Sequence, residues 1–336
     1  MSAADNIVLN TNELSVGYNQ KVILSHINVS LKQGEMVCFM GENGSGKSTL
    51  LRTITRLQPS LHGEICIQNQ PVTLYKSHQL ATKMSVVLTD RLNVGMLSVY
   101  ELIAMGRYPY LSWDIRLNQD DKLHIERAIA ATNTKSLIDL KVHTLSDGQL
   151  QKVMIARALA QDSPIMILDE PTAHLDLNNR VEVMRLLHEL TRATGKAVLM
   201  ATHELDLALQ MADRLWLVDK NKSITSGIPE DLVLSGTLDR VFALKGYDLK
   251  TGKISHSYQG KASIQLIGEG FTFLWTKNAL EREGYKVVND SADMIINIID
   301  FDGSFEWQLE PGLQVAHSIE QLLIVLKKTT ITDRKS

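Results

Sequence analysis

A glycine-rich stretch near the start of the chain, GENGSGKST at residues 41–49, has the spacing of a loop that binds phosphate. An apolar run precedes it and apolar side chains at helical spacing follow it, so the loop joins a strand to a helix. In that setting successive backbone N–H groups and the helix N-terminus bind phosphate oxygens. Lys47 can reach the β- and γ-phosphates, and Ser48 can ligate Mg²⁺. The candidate nucleotide-binding residues are Gly41, Glu42, Asn43, Gly44, Ser45, Gly46, Lys47, Ser48 and Thr49.

Two adjacent carboxylates, Asp169 and Glu170, end a second apolar run, IMILDE. Ligands bind at the carboxyl ends of strands in open α/β sheets, so both side chains are expected at the ligand-binding edge. Asp169 is a candidate to hold Mg²⁺. Glu170 points in a different direction and can accept a proton from an attacking water. A solvated acidic strand end is the alternative, and the phosphate-binding loop in the same chain argues against it.

The elements that must position these residues alternate between strands and helices, which predicts a parallel α/β sheet. Short antiparallel strands occupy the first 35 residues, and a helical insertion interrupts the sheet at about residues 92–160. The character of the sequence changes near residues 246–261, which are polar and poor in periodicity. We therefore expect an ATP-binding domain over residues 1–250 and a small α/β domain over residues 260–336.

Composition narrows the classes of function. The net charge is −3 and the chain has no run of Lys or Arg, so nothing in the charge indicates nucleic-acid binding. The two cysteines, Cys38 and Cys66, lie in apolar runs and are expected to be buried thiols. No signal peptide and no apolar run of ~18 residues is apparent. Membrane contact is therefore expected only through partners.

Four further motifs resemble the ATP-binding subunits of ABC transporters over about residues 7–245. LSDGQ, which contains Ser146, Gly148 and Gln149, is similar to the LSGGQ signature of that family. PTAHLD resembles its D-loop, and His203 matches its switch histidine. Tyr18 stands where the family stacks an aromatic ring on adenine. The resemblance implies the P-loop NTPase fold of an ABC ATPase, with an antiparallel β subdomain, a helical subdomain and, here, a small C-terminal α/β domain.

The resemblance also implies a homodimer in which each ATP lies between the phosphate loop of one subunit and the signature of the other. Ser146 and the backbone N–H of Gly148 then present donors and a helix N-terminus to the γ-phosphate. Asp147 departs from the usual glycine, and its carboxylate should point away from the triphosphate. The resemblance assigns Glu170 as general base, Lys47 and His203 to the γ-phosphate, and Ser48 and Asp169 to Mg²⁺.

A second departure affects the magnesium site. The family ends an apolar strand with a glutamine that contacts Mg²⁺ and the attacking water, and here Thr89 stands at that position. Threonine keeps a hydroxyl ligand but reaches less far, and Asp90 could substitute for it. Thr89 is therefore the third candidate metal ligand.

The function implied is an ATP hydrolase that energises a membrane importer. MGRYPYLSW at residues 105–113 resembles a stretch in ATPases that drive uptake of iron–siderophore, haem or cobalamin. Polytopic permease subunits, with a substrate-binding protein upstream, are the expected partners, and the cytoplasmic face of the inner membrane is the expected location. The alternatives are a soluble ABC-type ATPase that acts on DNA or the ribosome, and a nucleotide-binding regulator without turnover. The soluble ATPase would be favoured by paired cassettes, a coiled-coil arm or zinc-binding cysteines. The regulator would be favoured by loss of Glu170 or His203.

The C-terminal sequence predicts two helices and about four strands. The final helix should open with Ser318 and Gln321 spaced as a capping box. A turn at Gly268-Glu269-Gly270 fails the dinucleotide-binding pattern because Phe273 occupies the third glycine position. We therefore expect an accessory domain that stabilises the homodimer or tunes its activity, with a small-ligand sensor as the alternative.

Overall fold

The computed structural model divides the chain into two compact units, Met1–Ala243 and Leu244–Ser336. The residues that it describes are 6–88, 95–242, 247–248, 253–254, 262–301, 304–310 and 314–332.

The first unit contains eleven strands among its described residues: β1 (Ile7–Tyr18), β2 (Lys21–Ile27), β3 (Ser30–Lys32), β4 (Met36–Gly41), β5 (His62–Ile67), β6 (Gln70–Pro71), β7 (Met84–Val87), β8 (Ile165–Asp169), β9 (Ala197–Ala201), β10 (Arg214–Val218) and β11 (Ile224–Gly227). Its helices are α1 (Lys47–Ile54), α2 (Ser77–Lys83), α3 (Val99–Ala104), α4 (Gln119–Ala131), α5 (Asp147–Ala160), α6 (Leu177–Thr194), α7 (Leu205–Met211), α8 (Pro229–Leu234) and α9 (Thr237–Phe242).

The strands of this unit form two sheets. One is an antiparallel sheet in the order β2-β1-β5-β6, with β3 also paired to β1. The other has the order β11-β10-β4-β9-β8-β7, and every pair in it is parallel except β10 with β11. Strands β4, β8 and β9 are buried along their whole length, as expected for apolar strands covered on both faces of a parallel sheet.

Three of the helices, α3, α4 and α5, lie between β7 and β8 in the chain and form the predicted helical insertion. Helix α3 is followed at once by a 3₁₀ turn, Met105–Tyr110, which we call the aromatic turn. Helix α5 contacts α3, α4 and the aromatic turn. The insertion is therefore organised around α5, the helix that begins just after Ser146.

The second unit has strands β12 (Tyr247–Asp248), β13 (Lys253–Ile254), β14 (Ser263–Ile267), β15 (Lys286–Val288), β16 (Met294–Phe301), β17 (Ser304–Glu310) and β18 (Gln314–Ala316), and helices α10 (Gly270–Arg282) and α11 (Ile319–Thr332). Strands β15-β14-β16-β17-β18 form one sheet in that order. Its separate core includes Ile264, Leu280, Ile296, Leu322 and Leu326, all fully buried.

The predicted fold class is confirmed: the chain combines an antiparallel sheet, a mainly parallel sheet, a helical insertion and a small C-terminal α/β unit. Among the described residues, no helix is both long enough and apolar enough to span a membrane.

Candidate functional site

The phosphate-binding loop lies between the buried strand β4 and helix α1, as the sequence predicts. Gly44 and Gly46 have φ angles of 73° and 108°, which are backbone conformations that favour glycine. A Cβ atom on Gly46 would lie 2.7 Å from Cγ2 of Ile23, so a side chain there would also collide with strand β2. The loop therefore needs glycine at position 46 both for its conformation and for space.

Lys47 and Ser45 are buried at the centre of this loop. The Nζ atom of Lys47 donates to the carbonyl oxygens of Gly41 at 2.9 Å and Glu42 at 3.2 Å. Burial lowers the pKa of Lys47, and the negative charges of Glu170 and Asp169 oppose that shift. The Oγ atom of Ser45 is buried without a protein hydrogen-bond partner among the described residues. The loop thus presents a buried cation and an unpaired hydroxyl, which fits a bound phosphate group.

Two candidate oxygen ligands for a metal, Ser48 and Asp169, meet at the start of α1. Ser48 Oγ donates to Asp169 Oδ1 at 3.2 Å, which joins the phosphate loop to the end of β8. Burial raises the pKa of Asp169, whereas the Ser48 hydrogen bond lowers it. A hydroxyl and a carboxylate are the hard oxygen donors that Mg²⁺ takes together with phosphate oxygens, so these residues fit the expected ion. Thr89, the third candidate ligand, lies outside the described residues.

Glu170 follows β8 in an unusual backbone conformation, with φ at 49°. Its backbone N–H donates to the carbonyl oxygen of Ala201 at 3.0 Å, which ties the turn to the adjacent strand β9. Its Oε1 atom lies 2.7 Å from Nε2 of His203, which follows β9. Sequence analysis placed both residues at the site but missed this pairing. The parallel register of Asp169 with Ala201 is the structural reason that they meet.

Tyr18 ends β1 with its ring half exposed. Its hydroxyl is hydrogen-bonded to Oγ1 of Thr49, in the first turn of α1. The ring is therefore held beside the phosphate loop, where the resemblance places the adenine.

The signature residues form the first turn of α5. Ser146 is the N-cap: Gln149 N donates to Ser146 Oγ at 3.3 Å, and Ser146 N donates to Gln149 Oε1 at 3.0 Å. A Cβ on Gly148 would lie 2.5 Å from Oδ1 of Asn179 in the first turn of α6. Asn179 is itself held by Asp176, whose carboxylate accepts hydrogen bonds from its backbone N–H and its side-chain amide, each at 2.9 Å. Nothing in the sequence indicates this contact between the signature and the first turn of α6.

The arrangement can bind a phosphate chain, hold a divalent cation and take up a proton from water near the terminal phosphate. Among the described residues no group of three or more His, Cys, Asp and Glu side chains could hold a metal ion by itself.

Comparison with known proteins finds one family model in each part of the chain. Residues 24–173 match the family model of the ABC transporter, and residues 260–327 match that of the iron ABC transporter C-terminal domain. The chain is 35% identical over 237 residues to the petrobactin import ATP-binding protein FpuD of Bacillus anthracis, covering 70% of this chain and 87% of that protein. It is 33% identical over 233 residues to the ferric enterobactin transport ATP-binding protein FepC of Escherichia coli strain K12. This match covers 69% of this chain and 86% of that protein.

A solved structure extends the comparison to quaternary organisation. The dimeric structure of MJ0796, a bacterial ABC transporter cassette, aligns with a TM-score of 0.53 at 26% identity and covers 62% of this chain and 93% of that one. Cassettes of this kind work as dimers together with permease partners. The phosphate loop, the strand-end carboxylates and the capped signature helix thus occur in a chain that belongs to the ATP-binding, ATP-hydrolysing proteins of ABC transporters.

Proposed function

We propose that this chain is the ATPase subunit of an importer for a metal chelate, of the iron–siderophore, haem or cobalamin type. The observation that carries the proposal is the combination of an ABC cassette with a region that matches the iron ABC transporter C-terminal domain. The two relatives described above are ATP-binding proteins of petrobactin import and ferric enterobactin transport, which supports the same chemical class of cargo here.

The site geometry supports a defined division of labour in hydrolysis. Ser48 and Asp169 would hold Mg²⁺, and Lys47 and the loop N–H groups would hold the β- and γ-phosphates. The ion would neutralise charge on the phosphates. Glu170 would take the proton of the attacking water, and His203, 2.7 Å away, would orient its carboxylate and contact the γ-phosphate. Thr89 stays a candidate ligand for the ion.

The remaining site residues would complete the pocket in a homodimer. Tyr18, fixed through Thr49, would stack on adenine. Ser146, Gly148 and Gln149 would bind the γ-phosphate held by the partner subunit, because the first turn of α5 offers N–H groups and the positive end of the helix dipole.

The aromatic turn and the residues after it would form the permease contact. Tyr108 and Trp113 are 56% and 100% exposed, Tyr110 is 39% exposed, and Leu111 is half-buried. Exposed aromatic side chains of this kind are the usual anchors in protein interfaces. The chain would then sit on the cytoplasmic face of the cell membrane, held there by permease subunits that receive cargo from a substrate-binding protein.

The second unit would be an accessory domain that stabilises the homodimer or tunes hydrolysis. It carries none of the residues assigned to ATP or Mg²⁺. Helix α10 displays Phe271 and Trp275, 83% and 63% exposed and one turn apart, which gives the unit an apolar surface for a contact.

Uptake measurements test the cargo class. A strain that lacks this gene should fail to take up at least one of a ferric siderophore, haem or cobalamin, and the wild-type gene should restore uptake. The gene with Glu170→Gln should not restore it, because binding without turnover cannot drive transport. Uptake of an unrelated solute serves as control. Normal use of all three chelates, with failure on the unrelated solute, would refute the assignment.

A further inference from the structure

Arg107, in the middle of the aromatic turn, is only 3% exposed although it is charged. Its Nε donates to Asp121 Oδ1 of α4 at 2.9 Å, and its Nη1 donates to the carbonyl oxygen of Ala160, the last residue of α5, at 2.9 Å. Its guanidinium also lies 4.0 Å from the centre of the Tyr110 ring. One side chain therefore joins the aromatic turn, α4 and the C-terminal end of α5.

The neighbouring residue, Gly106, brings the backbone of the aromatic turn close to the backbone of α5. A Cβ atom at Gly106 would lie 2.3 Å from the carbonyl oxygen of Arg157 in the last turn of α5. The aromatic turn thus has no room to slide against α5 at this point. We call Gly106, Arg107 and Asp121 the clamp.

The end of α5 that the clamp holds is also the end that is fastened to the parallel sheet. Arg157 Nη2 donates to the carbonyl oxygen of Val86 in β7 at 3.2 Å. Gln161 Nε2, just past the helix, donates to the carbonyl oxygens of Ala81 at 2.5 Å and Met84 at 2.9 Å. These bonds fasten the C-terminal end of α5 to the sheet, and we call this end the pivot. At the other end Ser146 and Asp147 are exposed, and Gly148 packs on Asn179 of α6, a contact that a tilt of α5 would alter.

The length of α5 turns a small rotation at the pivot into a large displacement at the signature. A helix of 14 residues is about 21 Å long, so a tilt of about 10° moves its first turn by about 3–4 Å. We propose that Arg107 is a positioning residue that locks the aromatic turn to the pivot of α5, so that displacement of the turn by a permease tilts the signature helix. The inference rests on the proposed function for the identity of the aromatic turn as the permease contact.

The choice of arginine fits a positioning role better than a stabilising one. A buried Arg–Asp pair adds little or nothing over apolar side chains of similar volume, because both ions lose their hydration. The planar guanidinium instead fixes the direction of several hydrogen bonds at once, which an apolar side chain cannot do. Arg107 uses this geometry on Asp121 and Ala160 while its face packs on Tyr110.

The first test measures the lock in the isolated protein. Spin labels at Tyr108→Cys and Asp147→Cys, in a Cys66→Ser background, report the distance between the aromatic turn and the first turn of α5. Cys38 is buried and burial raises its pKa to about 12, so it will not take the label. Dilution with unlabelled chain removes distances between subunits. With the clamp intact, the distance distribution should stay narrow both without nucleotide and with ATP in the Glu170→Gln background.

The clamp is then removed with Arg107→Met and Asp121→Asn together. This pair of changes leaves no unpaired buried charge, and asparagine keeps an oxygen that can accept from Asn118 N, as Asp121 Oδ2 does at 3.0 Å. The distribution should broaden in at least one nucleotide state. The matched control is Arg214→Met with Glu35→Leu, which removes a part-buried pair 2.9 Å apart outside the helical insertion and should leave the distribution narrow. If the folded clamp variant shows the same distribution of spin-label distances as the protein with the clamp intact, the inference about Arg107 is wrong. That result would leave the proposed function in import unaffected.

The second test separates positioning from mere stability, in membranes that contain the transporter's own permease subunits. The clamp variant should keep its melting temperature and ATP affinity, while uptake per ATP hydrolysed falls by about 5-fold to 150-fold, the usual range of coupling between two sites. The Arg107→Lys variant keeps the positive charge and carries a lower risk of misfolding. Its uptake per ATP hydrolysed should lie between the values of the wild type and the clamp variant. A parallel fall in hydrolysis and uptake, with their ratio unchanged, would show a structural role and overturn the inference. Failure of the wild type to couple hydrolysis to uptake would instead refute the proposed function.

Discussion

Glu170 holds a backbone conformation that residues with side chains rarely adopt, with φ at 49°. Such conformations cost on the order of 1–3 kcal/mol and persist where the surrounding structure fixes them. Here the hydrogen bond from Glu170 N to Ala201 O does so, and it turns the carboxylate toward His203 rather than along the strand. The neighbouring Asp169 continues the strand toward Ser48. Two adjacent carboxylates thereby contact two different partners, Ser48 and His203.

Substitution of Glu170 by glutamine should abolish turnover while sparing nucleotide binding. The amide keeps the size of the side chain but cannot take a proton, so hydrolysis should fall by about 10²–10⁴-fold. The variant should also accumulate an ATP-bound dimer. Steady-state phosphate release and size-exclusion chromatography with ATP check both results.

A matched control for this variant is Glu204→Gln. Glu204 lies next to His203 in the chain but pairs with Arg180 Nη1 at 2.9 Å. Its loss should change turnover by less than about threefold, since a part-exposed ion pair contributes little. Hydrolysis at the wild-type rate in Glu170→Gln would exclude Glu170 as the base.

Asp169→Asn should stabilise the protein without ligand while impairing its function. Burial raises the pKa of Asp169, so its contribution to stability is present below the unfolded-state pKa and is lost as pH rises through the folded-state pKa. At pH 7 the ionised carboxylate therefore destabilises the fold, and asparagine removes that charge. The melting temperature without nucleotide should rise, and the difference should shrink in acid. The increase in melting temperature that Mg²⁺ and ATP give the wild type should be largely lost.

Calorimetry at pH 7 and at lower pH, with and without Mg²⁺ and ATP, measures these effects. A lower melting temperature of Asp169→Asn without ligand would contradict the role assigned to burial.

At the scale of elements, the start of α5 depends on a neighbouring helix. Gly148 packs so closely on Asn179 that a Cβ atom would lie 2.5 Å from its amide oxygen. Gly148→Ala should therefore displace either the signature turn or Asn179, and ATP hydrolysis should fall by ~10-fold or more, the scale of a 1.4 kcal/mol loss. If the contact with Asn179 is the cause, the double variant with Asn179→Ala should recover much of the activity.

Gly227→Ala is the matched control for crowding. Its Cβ would lie 2.9 Å from Cγ of Leu232, so the change crowds the packing at a position outside the residues assigned to ATP and Mg²⁺, and activity should change little. Absence of rescue by Asn179→Ala would mean that glycine is needed for approach to the partner's phosphate rather than for packing inside the subunit.

The elements that sequence reasoning found are those whose pattern is long and unbroken. The apolar runs of β4 and β8 and the helical spacing of α1 predicted their type, and the helical insertion was predicted as well. The six- and seven-residue helices α2, α8 and α9 and the short strand β18 were missed. Helices this short take their stability from tertiary packing, which local sequence does not record. Pro229 at the first position of α8 was the available signal.

The candidate site divides in the same way. Residues of the phosphate loop could be named because backbone geometry and spacing dictate them. The Glu170–His203 pair, the Gly148–Asn179 contact and the burial of Arg107 could not, since each joins side chains from elements distant in the sequence. Arginine is rarely buried, and nothing in its neighbourhood along the chain marked Arg107 as an exception.

At the scale of the whole molecule, each of the two units has a hydrophobic cluster of its own among the residues that the structure describes. One cluster includes Leu24, Phe39 and Ile167 beneath the phosphate loop, and the other contains Leu280, Leu322 and Leu326 of the second unit. The second core is completed by Trp307, whose Nε1 donates to Thr276 Oγ1 at 2.8 Å, so this buried polar pair is satisfied within the unit. Every residue assigned to ATP or Mg²⁺ lies in the first unit.

A chain truncated near Tyr258 should therefore fold and bind ATP with a Kd within about threefold of the full-length value, because the free energy of binding comes from the phosphate loop. Its dimerisation should weaken or its hydrolysis rate should change, since an accessory domain acts on dimerisation, on hydrolysis or on both.

Leu322→Asp offers a control that keeps the full length of the chain. A carboxylate in the fully buried centre of the second core should unfold that unit and reproduce the effect of truncation. Isothermal titration with ATP, analytical ultracentrifugation and steady-state hydrolysis measure the three properties. If the truncated chain neither folds nor binds ATP, the second unit is part of the catalytic core, and if it matches the full-length protein in dimerisation and rate, the accessory role is wrong.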